Sequence, residues 1–276
     1  MLEAVLIGPC FESSRAKLKE SLDSVEVLGT PLVVTSYEAF SGFCHRKVRE
    51  EGVFSVDFTN TQIVTMRRNQ AEFREITSSV DYFVPDGMPL IWCMNQTGAG
   101  LQDRVYGPTF FRECLQRTTA DYTHYLIGGS TECLELLCAK IKELNANAVV
   151  IGSRSGYFSS EEEDAIVREI NELNPDFIWV GLGTPKQQAW INRWKGKINR
   201  GALMAVGYAF DVNAGTKADP PMWMQRWGLG WAFRLASEPR RLASRYFKYN
   251  SLFLFFLLWD GVCGRAIRRV DSQALG

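Results

Sequence analysis

Asp86 is the residue whose type and position most directly suggest chemistry. It stands between Pro85 and Gly87, immediately after the short apolar run Tyr82–Val84. An aspartate at such a place commonly caps a helix or closes an Asx turn. A carboxylate there could equally act as a general base, because it can take the proton of an attacking hydroxyl group. The residues alone leave both interpretations open.

Polar side chains also follow another apolar run, Val53–Asp57. Thr59, Asn60 and Gln62 come soon after it, and the two amides could fix hydroxyl or N-acetyl groups of a sugar. They could equally close a turn, which is a common use of polar residues at the end of a strand. Further donors that suit a phosphate group stand at Arg104, Lys186 and Gln187.

Two glycine-containing loops follow apolar runs and are suited to phosphate binding. Gly128-Gly129 follows Tyr125–Ile127, and the loop that begins Gly181-Leu182-Gly183 follows Phe177–Val180. Backbone N–H groups and helix N-termini bind phosphate in loops of this kind. The second loop is not the GxGxxG dinucleotide fingerprint, because proline and lysine fill its last two spacings, and no Walker lysine motif occurs. These loops could still bind a nucleotide diphosphate. An oxidoreductase that lacks the usual fingerprint also stays a possible interpretation.

These residues need a framework, and the chain alternates short apolar runs with longer segments of helical period. This alternation predicts βαβ units and an α/β fold around a mainly parallel sheet. Ligands bind such sheets at the carboxyl ends of the strands. The predicted strands are Val5–Ile7, Val53–Asp57, Tyr82–Val84, Tyr125–Ile127, Val149–Ile151, Phe177–Val180 and Leu203–Val206, and the clearest helices are Glu132–Leu144 and Ser160–Leu173.

Charge is distributed unevenly along the chain, although the formal net charge is zero. Residues 216–276 contain ten Lys and Arg against four Asp and Glu, so this segment carries +6 and residues 1–215 carry −6. Its arginines are interleaved with tryptophans and other apolar side chains, which suits a bilayer interface. The segment could also form a helical hairpin packed on the sheet, or reach into the active site and bind a diphosphate. We therefore divide the chain into an α/β domain, residues 1–215, and a C-terminal appendage, residues 216–276.

Composition argues against several other classes of protein. The seven cysteines are scattered without a CxxC pair, and the two histidines, His45 and His124, lack metal-ligand spacing, so neither a metal site nor a cofactor is predicted. A net charge of zero gives no reason to expect nucleic acid. The longest strongly apolar run, Leu252–Trp259, is far shorter than the ~20 residues that span a bilayer, so peripheral membrane attachment is expected.

A series of short motifs follows one order along the chain. The motifs are Asn60-Thr61-Gln62, Pro85-Asp86-Gly87, Arg104 with Gly107, Gly128-Gly129, Gly156-Tyr157-Phe158, Gly181-Leu182-Gly183-Thr184-Pro185-Lys186-Gln187, Phe210-Asp211 with Ala214-Gly215, and Gly228-Leu229 followed by Trp231, Arg234-Leu235 and Glu238-Pro239. This series resembles the WecG/TagA/CpsF family of bacterial glycosyltransferases, glycosyltransferase family 26. The resemblance runs from about Val27 to about Phe253.

The resemblance implies a Rossmann-like domain that transfers a sugar, with inversion, from a UDP-sugar to an undecaprenyl-diphosphate-linked saccharide. It places the enzyme at the cytoplasmic face of the bacterial inner membrane, in the synthesis of an exopolysaccharide, teichoic acid or antigen. It implies that Asp86 is the base, that Asn60 places a sugar, and that Arg104 contacts the donor or a diphosphate. The other implied contacts to substrate are Thr59, Gln62, Gly128, Gly129, Tyr157, Gly181, Gly183, Pro185, Lys186, Gln187, Asp211 and, in the appendage, Arg234, Arg241 and Arg245.

The sequence also departs from the family pattern. Gln188 stands where a Glu usually follows the Gln, Gly230 where a Glu is common, and Phe58 where a Thr often occurs. These departures leave the donor open between an N-acetylmannosamine type and a hexose. Two alternatives from other classes stay open: a nucleotide-dependent oxidoreductase and a non-catalytic membrane-binding module. A homo-oligomer is also compatible with the sequence.

Overall fold

The computed structural model describes residues 22–50 and 52–270. The described strands are β1 (Ser24–Val27), β2 (Thr30–Val33), β3 (Val53–Thr59), β4 (Tyr82–Pro85), β5 (Thr123–Gly128), β6 (Val149–Arg154), β7 (Phe177–Gly181), β8 (Gly201–Ala205) and β9 (Ile267–Val270). The described helices are α1 (Tyr37–Lys47), α2 (Thr61–Asn69), α3 (Ala71–Ile76), α4 (Met88–Asn95), α5 (Gly107–Arg117), α6 (Thr131–Leu144), α7 (Glu163–Leu173), α8 (Lys186–Trp194), α9 (Ala209–Ala214), α10 (Met222–Arg226), α11 (Gly230–Ser237) and α12 (Pro239–Val262).

All of the described strands belong to one sheet, in the order β6-β5-β7-β8-β3-β4-β2-β1-β9. Neighbours are parallel from β6 to β2, while β1 runs antiparallel to both β2 and β9. The predicted α/β class, with a mainly parallel sheet flanked by helices, is confirmed. The predicted strand Val5–Ile7 lies outside the described residues.

Three short strands, β1, β2 and β9, were not predicted from the sequence. The hairpin between β1 and β2 turns at Leu28 and Gly29, both with positive φ, whereas the usual sequence signal for such a turn is Asn-Gly or Asp-Gly. Pro31 lies within β2, and proline argues against a strand when the sequence is read alone. These strands therefore depend on pairing with their neighbours more than on local signals.

Side chains alternate between two cores, one on each face of the sheet. In β7, Phe177 and Trp179 pack into the core beneath α1, α5 and α6, whereas Ile178 and Val180 pack into the core beneath α7 and α8. This is the expected consequence of the two-residue period of a strand. Because both faces are covered, polar groups that bind a ligand are left to the ends of the strands.

The carboxyl ends of β3 and β4 are held side by side, which brings their following residues together. Thr59 pairs with Pro85 in the parallel register, and the N–H of Asp86 donates to the carbonyl of Thr59 at 2.7 Å. Asn60 and Asp86 consequently leave the sheet at the same edge. This is the edge at which ligands bind parallel sheets.

The C-terminal segment is helical from Met222 to Val262, as predicted, and then returns to the sheet as β9. Helix α12 packs along α2, where Asp260 accepts two hydrogen bonds from Arg68, at 2.7 and 2.9 Å. The boundary predicted after residue 215 falls in the loop that follows α9. In the part of the chain that the structure describes, no helix has the length and apolar character needed to cross a membrane.

Gly128 marks a close approach between β5 and β7. Its φ is +140°, and a Cβ at this position would lie 2.5 Å from the carbonyl carbon and oxygen of Gly181. We expect Gly128→Ala to lower the free energy of unfolding by about 2 to 4 kcal/mol, because the added carbon forces the two strands apart and strains the backbone.

Chemical denaturation would measure this loss. The matched control is Gly196→Ala, because a Cβ there meets open space and no positive φ is required, so its effect should stay within about 0.5 kcal/mol. Equal stability of the two variants would contradict the steric account of Gly128.

Candidate active site

A polar cavity of about 630 Å³ opens at the carboxyl edge of the sheet, between the strand ends and the C-terminal helices. The residues predicted from the sequence that line it come from both the α/β domain and the appendage. They are Asn60, Gln62, Asp86, Gly129, Tyr157, Gly181, Gly183, Pro185, Lys186, Gln187, Asp211, Arg234, Arg241 and Arg245. Most of the predicted site residues therefore meet in one place.

A second cavity, of about 460 Å³, lies between α4, α11 and α12 and is called here the apolar groove. Its lining includes Met88, Pro89, Trp92, Trp231, Tyr246, Tyr249, Phe253, Leu254 and Leu257. The groove and the polar cavity share Asn60, Gln62, Asp86, Tyr106, Arg234 and Arg245. Asp86 thus lies at the junction of a polar chamber and an apolar one.

Asp86 is half-buried, and its carboxyl is incompletely paired. Its Oδ1 has no hydrogen-bond partner within the described chain, while the N–H of Gly107 donates to the carboxylate. Burial raises the pKa of Asp86 to about 7, against the opposing influence of Arg104, Arg234 and Gly107. A carboxyl with a pKa near neutrality is suited to proton transfer.

The alternative role of Asp86 as a helix cap is not what the structure shows. The N-cap of α4 is Gly87, and no side chain accepts a hydrogen bond from the first turn of that helix. Asp86 therefore lies one residue before the cap and turns its carboxyl toward Gly107 and the shared part of the two cavities.

Asn60 caps α2 and presents its remaining group to the cavities. Its Oδ1 accepts hydrogen bonds from the N–H groups of Gln62 and Ile63, at 3.0 and 3.2 Å. This pairing fixes the amide plane and leaves Nδ2 as the atom that can donate to a ligand. Thr59, in contrast, lines neither cavity: its side chain is fully buried, and its hydroxyl donates to Asp57 Oδ1 at 2.5 Å.

The loop Gly181–Pro185 forms one wall of the polar cavity, and the buried side chain of Gln187 holds it by a hydrogen bond. Gln187 Oε1 accepts the N–H of Gly183 at 3.1 Å, and the Gln187 side chain is almost completely buried. Gly128 supports this wall sterically through Gly181 but does not itself line the cavity. Lys186 opens α8 and lines the cavity.

Three arginines of the appendage give the polar cavity a positive wall. The guanidinium of Arg234 lies 3.9 Å from the ring centroid of Tyr208, and Arg241 pairs with Glu238. Arg245 Nε is buried without a partner in the described chain, and burial, followed by the nearby charges of Arg234 and Arg241, lowers its pKa. Guanidinium groups gathered in this way favour an anionic ligand such as a diphosphate.

Arg104 faces the apolar groove and not the polar cavity. Its Nη2 donates to Gln225 Oε1 at 3.1 Å, and its guanidinium lies 4.4 Å from the ring centroid of Tyr106. Asp219 accepts hydrogen bonds from both Tyr106 Oη and Gln225 Nε2, at 2.9 and 3.2 Å. A residue of the α/β domain is thus fixed by the appendage, within the groove.

A model of the Glycosyl transferase WecG/TagA/CpsF family matches residues 25–266. The chain belongs to this family. The match begins close to the expected Val27 and extends beyond the expected end at Phe253, because it includes the whole of α12. The prediction of a glycosyltransferase is confirmed, and the oxidoreductase and the non-catalytic module are not supported.

Two relatives carry the same name, N-acetylglucosaminyldiphosphoundecaprenol N-acetyl-beta-D-mannosaminyltransferase. The protein of Bacillus subtilis (strain 168) is 25% identical over 213 residues, which are 76% of this chain and 82% of the relative. The protein of Staphylococcus aureus (strain MW2) is 26% identical over 184 residues, which are 66% of this chain and 72% of the relative. The similarity therefore covers most of each protein.

The surroundings of the two cavities also include residues that the sequence did not single out. Tyr106, Tyr208 and Gln225 position the arginines, and Asp57 is a fully buried carboxyl behind the site. Asp57 offered one usable signal, since a charged residue closed an otherwise apolar run. The tyrosines and Gln225 offered none, because the contacts Tyr106–Asp219, Tyr208–Arg234 and Arg104–Gln225 join separate parts of the chain.

The site of the transferase predicts how activity depends on pH. Because burial raises the pKa of Asp86 to about 7, its ionised form, which a general base requires, predominates above that pH. We expect kcat/KM for glycosyl transfer to rise with pH through about 7. Asp86→Asn should lower kcat/KM by about 10²- to 10⁴-fold and abolish this rise.

A pH series of initial rates would test both expectations. Asp164→Asn, on the exposed side of α7, removes a carboxylate far from both cavities and should leave the profile unchanged. A profile of Asp86→Asn that matches the wild type would rule Asp86 out as the base.

Proposed function

We propose that the enzyme transfers a sugar from a UDP-sugar to a polyprenyl-diphosphate-linked saccharide. The observation that carries this proposal is the position of Asp86 where a polar, arginine-rich cavity meets an apolar groove. The names of the two relatives make N-acetylmannosamine the first candidate for the transferred sugar and undecaprenyl-diphosphate-linked N-acetylglucosamine the first candidate acceptor.

The donor fits the polar cavity because its diphosphate needs cations and N–H donors. Arg234, Arg241 and Arg245 supply three guanidinium groups, and the loop Gly181–Pro185 leads into the N-terminus of α8. Helix N-termini and arginines both favour phosphate. A volume of about 630 Å³ also lies within the range of about 300 to 1,000 Å³ typical of ligand pockets.

The acceptor fits the apolar groove because it joins a diphosphate to a long hydrocarbon chain. Trp92, Phe253 and Leu257 provide an apolar lining, while Arg104 provides a cation within the same groove. Leu254 lines the groove and is 62% exposed, so the groove opens toward the outer face of α12. A prenyl chain could extend in that direction while its saccharide reaches Asp86.

On this assignment the reaction is one displacement at the anomeric carbon. Asp86 takes the proton of the acceptor hydroxyl while the oxygen of that hydroxyl forms a bond to the anomeric carbon. The bond between the anomeric carbon and the UDP oxygen breaks, and the electron pair leaves with UDP. The arginine wall of the cavity offsets the charge that develops on the departing diphosphate. Attack from the side opposite the leaving group inverts the anomeric configuration.

An apolar strip on the outer face of the appendage supports attachment to a membrane. Leu254, Phe255, Leu258, Trp259 and Val262 recur with helical spacing on α12 and are each more than half exposed, and Trp223 and Trp227 are exposed on and next to α10. Exposed apolar surface of this extent marks an interaction site. Exposed tryptophans, together with exposed basic residues of the appendage such as Arg240 and Arg265, favour an anionic lipid surface. We place the enzyme at the cytoplasmic face of the inner membrane, where a lipid-linked acceptor would lie.

The first test of this function supplies both substrates and asks which cavity each one uses. Lipid-linked N-acetylglucosamine incubated with UDP-N-acetylmannosamine should give a disaccharide product, detected by mass spectrometry, and a panel of other UDP-sugars would show whether a hexose is preferred. Arg241→Ala, which alters only the polar cavity, should raise the donor KM about tenfold. Trp92→Ala, which alters only the groove, should instead raise the acceptor KM.

Each of these variants is the control for the other, because each should leave the KM of the second substrate nearly unchanged. The absence of product with every donor would refute the proposed reaction.

The second test concerns the membrane. Leu258→Glu combined with Trp259→Glu should abolish flotation of the protein with vesicles that contain phosphatidylglycerol, because two charges would enter the apolar strip. Leu136→Glu is the matched control, since Leu136 is 49% exposed on α6, outside the appendage. Equal flotation of both proteins would show that the strip is not the lipid-binding surface.

A further inference from the structure

Asp57 is a buried carboxyl that contacts neither cavity. It lies within β3 with no exposed surface, and burial raises its pKa. Thr59 Oγ1 donates to Oδ1 at 2.5 Å, and Gln188 Nε2 donates to Oδ2 at 2.7 Å. Within the described chain, no Lys or Arg nitrogen pairs with it at salt-bridge distance. A carboxyl taken out of water in this way is costly unless its neighbours are matched to it.

Gln188 is the neighbour that matches Asp57. Its side chain is 1% exposed on α8, and its Nε2 lies 3.3 Å from Thr184 Oγ1 as well as 2.7 Å from Asp57. Its Oε1 is buried and has no partner within the described chain. One amide therefore connects the middle of β3 with the loop that follows β7.

Both ends of this connection lead directly to the reaction site. Thr184 lines the polar cavity within the loop Gly181–Pro185. On the other side, Thr59 joins Asp57 to the base, because its hydroxyl contacts Asp57 and its carbonyl accepts the N–H of Asp86 at 2.7 Å. The orientation of the loop relative to Asp86 is thus fixed through buried groups that a ligand does not touch.

We propose that Asp57 and Gln188 are a positioning pair, which holds the loop Gly181–Pro185 in the conformation that binds the donor diphosphate. The proposal rests on the assignment of the donor to the polar cavity. The proposal requires that one of positions 57 and 188 carries a carboxylate and the other an amide, so that the amide can donate a hydrogen bond to the carboxylate. Two carboxylates would repel each other, and the loop would lose its anchor.

Because the pair needs one carboxylate and one amide, the two groups can be exchanged between positions 57 and 188 as a test. Gln188→Glu places two carboxyls together and should raise the donor KM and the Kd for UDP about tenfold or more at pH 8, with a smaller change in kcat. In the double variant Asp57→Asn with Gln188→Glu, the amide and the carboxylate exchange places. Asn at position 57 can donate to the new carboxylate while still accepting from Thr59, so both constants should return to within about threefold of the wild type.

The pH dependence of the single variant gives a second readout. The ionisable groups that act on this pair are Arg67 of α2, which favours a negative charge at Asp57, and Asp86, which opposes one. Lowering the pH to 6 should partly restore UDP binding by Gln188→Glu, because a shared proton lets the two carboxyls form a hydrogen bond. Because Asp86 also titrates in this range, each variant is compared with the wild type at the same pH, and on that scale the double variant should show no such recovery.

The comparison includes controls for folding and for added charge. Gln116→Glu makes the same change at an exposed position of α5 and should bind UDP as the wild type does. Circular dichroism and thermal unfolding would monitor the fold of each variant. If Gln188→Glu fails to fold, the double variant decides: recovery of both fold and UDP affinity supports the pair, and recovery of neither, or of fold alone, overturns it.

Two other results are decisive. Gln188→Glu that binds UDP normally at pH 8, or a double variant no better than the single one, would overturn the positioning role. Failure of the wild-type protein to bind UDP at all would instead refute the assignment of the donor cavity, so the two proposals fail in different ways.

Discussion

The partial burial of Asp86 beside incompletely paired arginines is the constraint on which the rest of the site depends. An ionised carboxyl in a buried position is unstable unless positive charge lies near it, and Arg104 and Arg234 provide that charge from two different parts of the chain. If they paired with Asp86 completely, its pKa would fall and it would lose its value as a base. The arginines are instead held back, Arg104 by Gln225 and Arg234 against Tyr208. The arginines therefore lie near enough to stabilise the ionised Asp86 carboxyl, but they do not pair with it so closely that it stops being basic.

The appendage contributes side chains to both cavities as well as an exposed surface. Its arginines complete the polar cavity, its aromatic residues line the groove, and its attachment to α2 through Asp260 and Arg68 sets where both groups lie. The three interpretations of this segment that the sequence left open describe different faces of the same helices. The inner face packs on the α/β domain, the arginines enter the site, and the outer face carries the apolar strip proposed to meet lipid.

The sequence was informative where one local rule decides the outcome. Apolar runs, alternating with helical periodicity, indicated the parallel sheet, and the ends of those runs located Asn60, Asp86 and the glycine loops. It was less informative about side-chain direction, which depends on register. Thr59 was expected at the ligand, but the alternation along β3 turns it toward Asp57. Arg104 was expected to contact the donor or a diphosphate, and it lies in the groove proposed here for the acceptor diphosphate. Its partner there is Gln225, a residue 121 positions away. No local pattern contains such a contact.

Strand β9 restricts the motion of the appendage and also limits what its truncation could show. Because β9 pairs with β1 along four residues, the appendage is fastened to the sheet at both of its ends. The appendage could therefore move away from the α/β domain only if the hydrogen bonds between β9 and β1 were broken. Removing residues 216–276 as a block would also uncover the backbone N–H and C=O groups of β1, and an exposed strand edge invites aggregation. Truncation would then remove the proposed lipid-binding surface and lower solubility at the same time, whereas substitutions on the outer face of α12 separate the two effects.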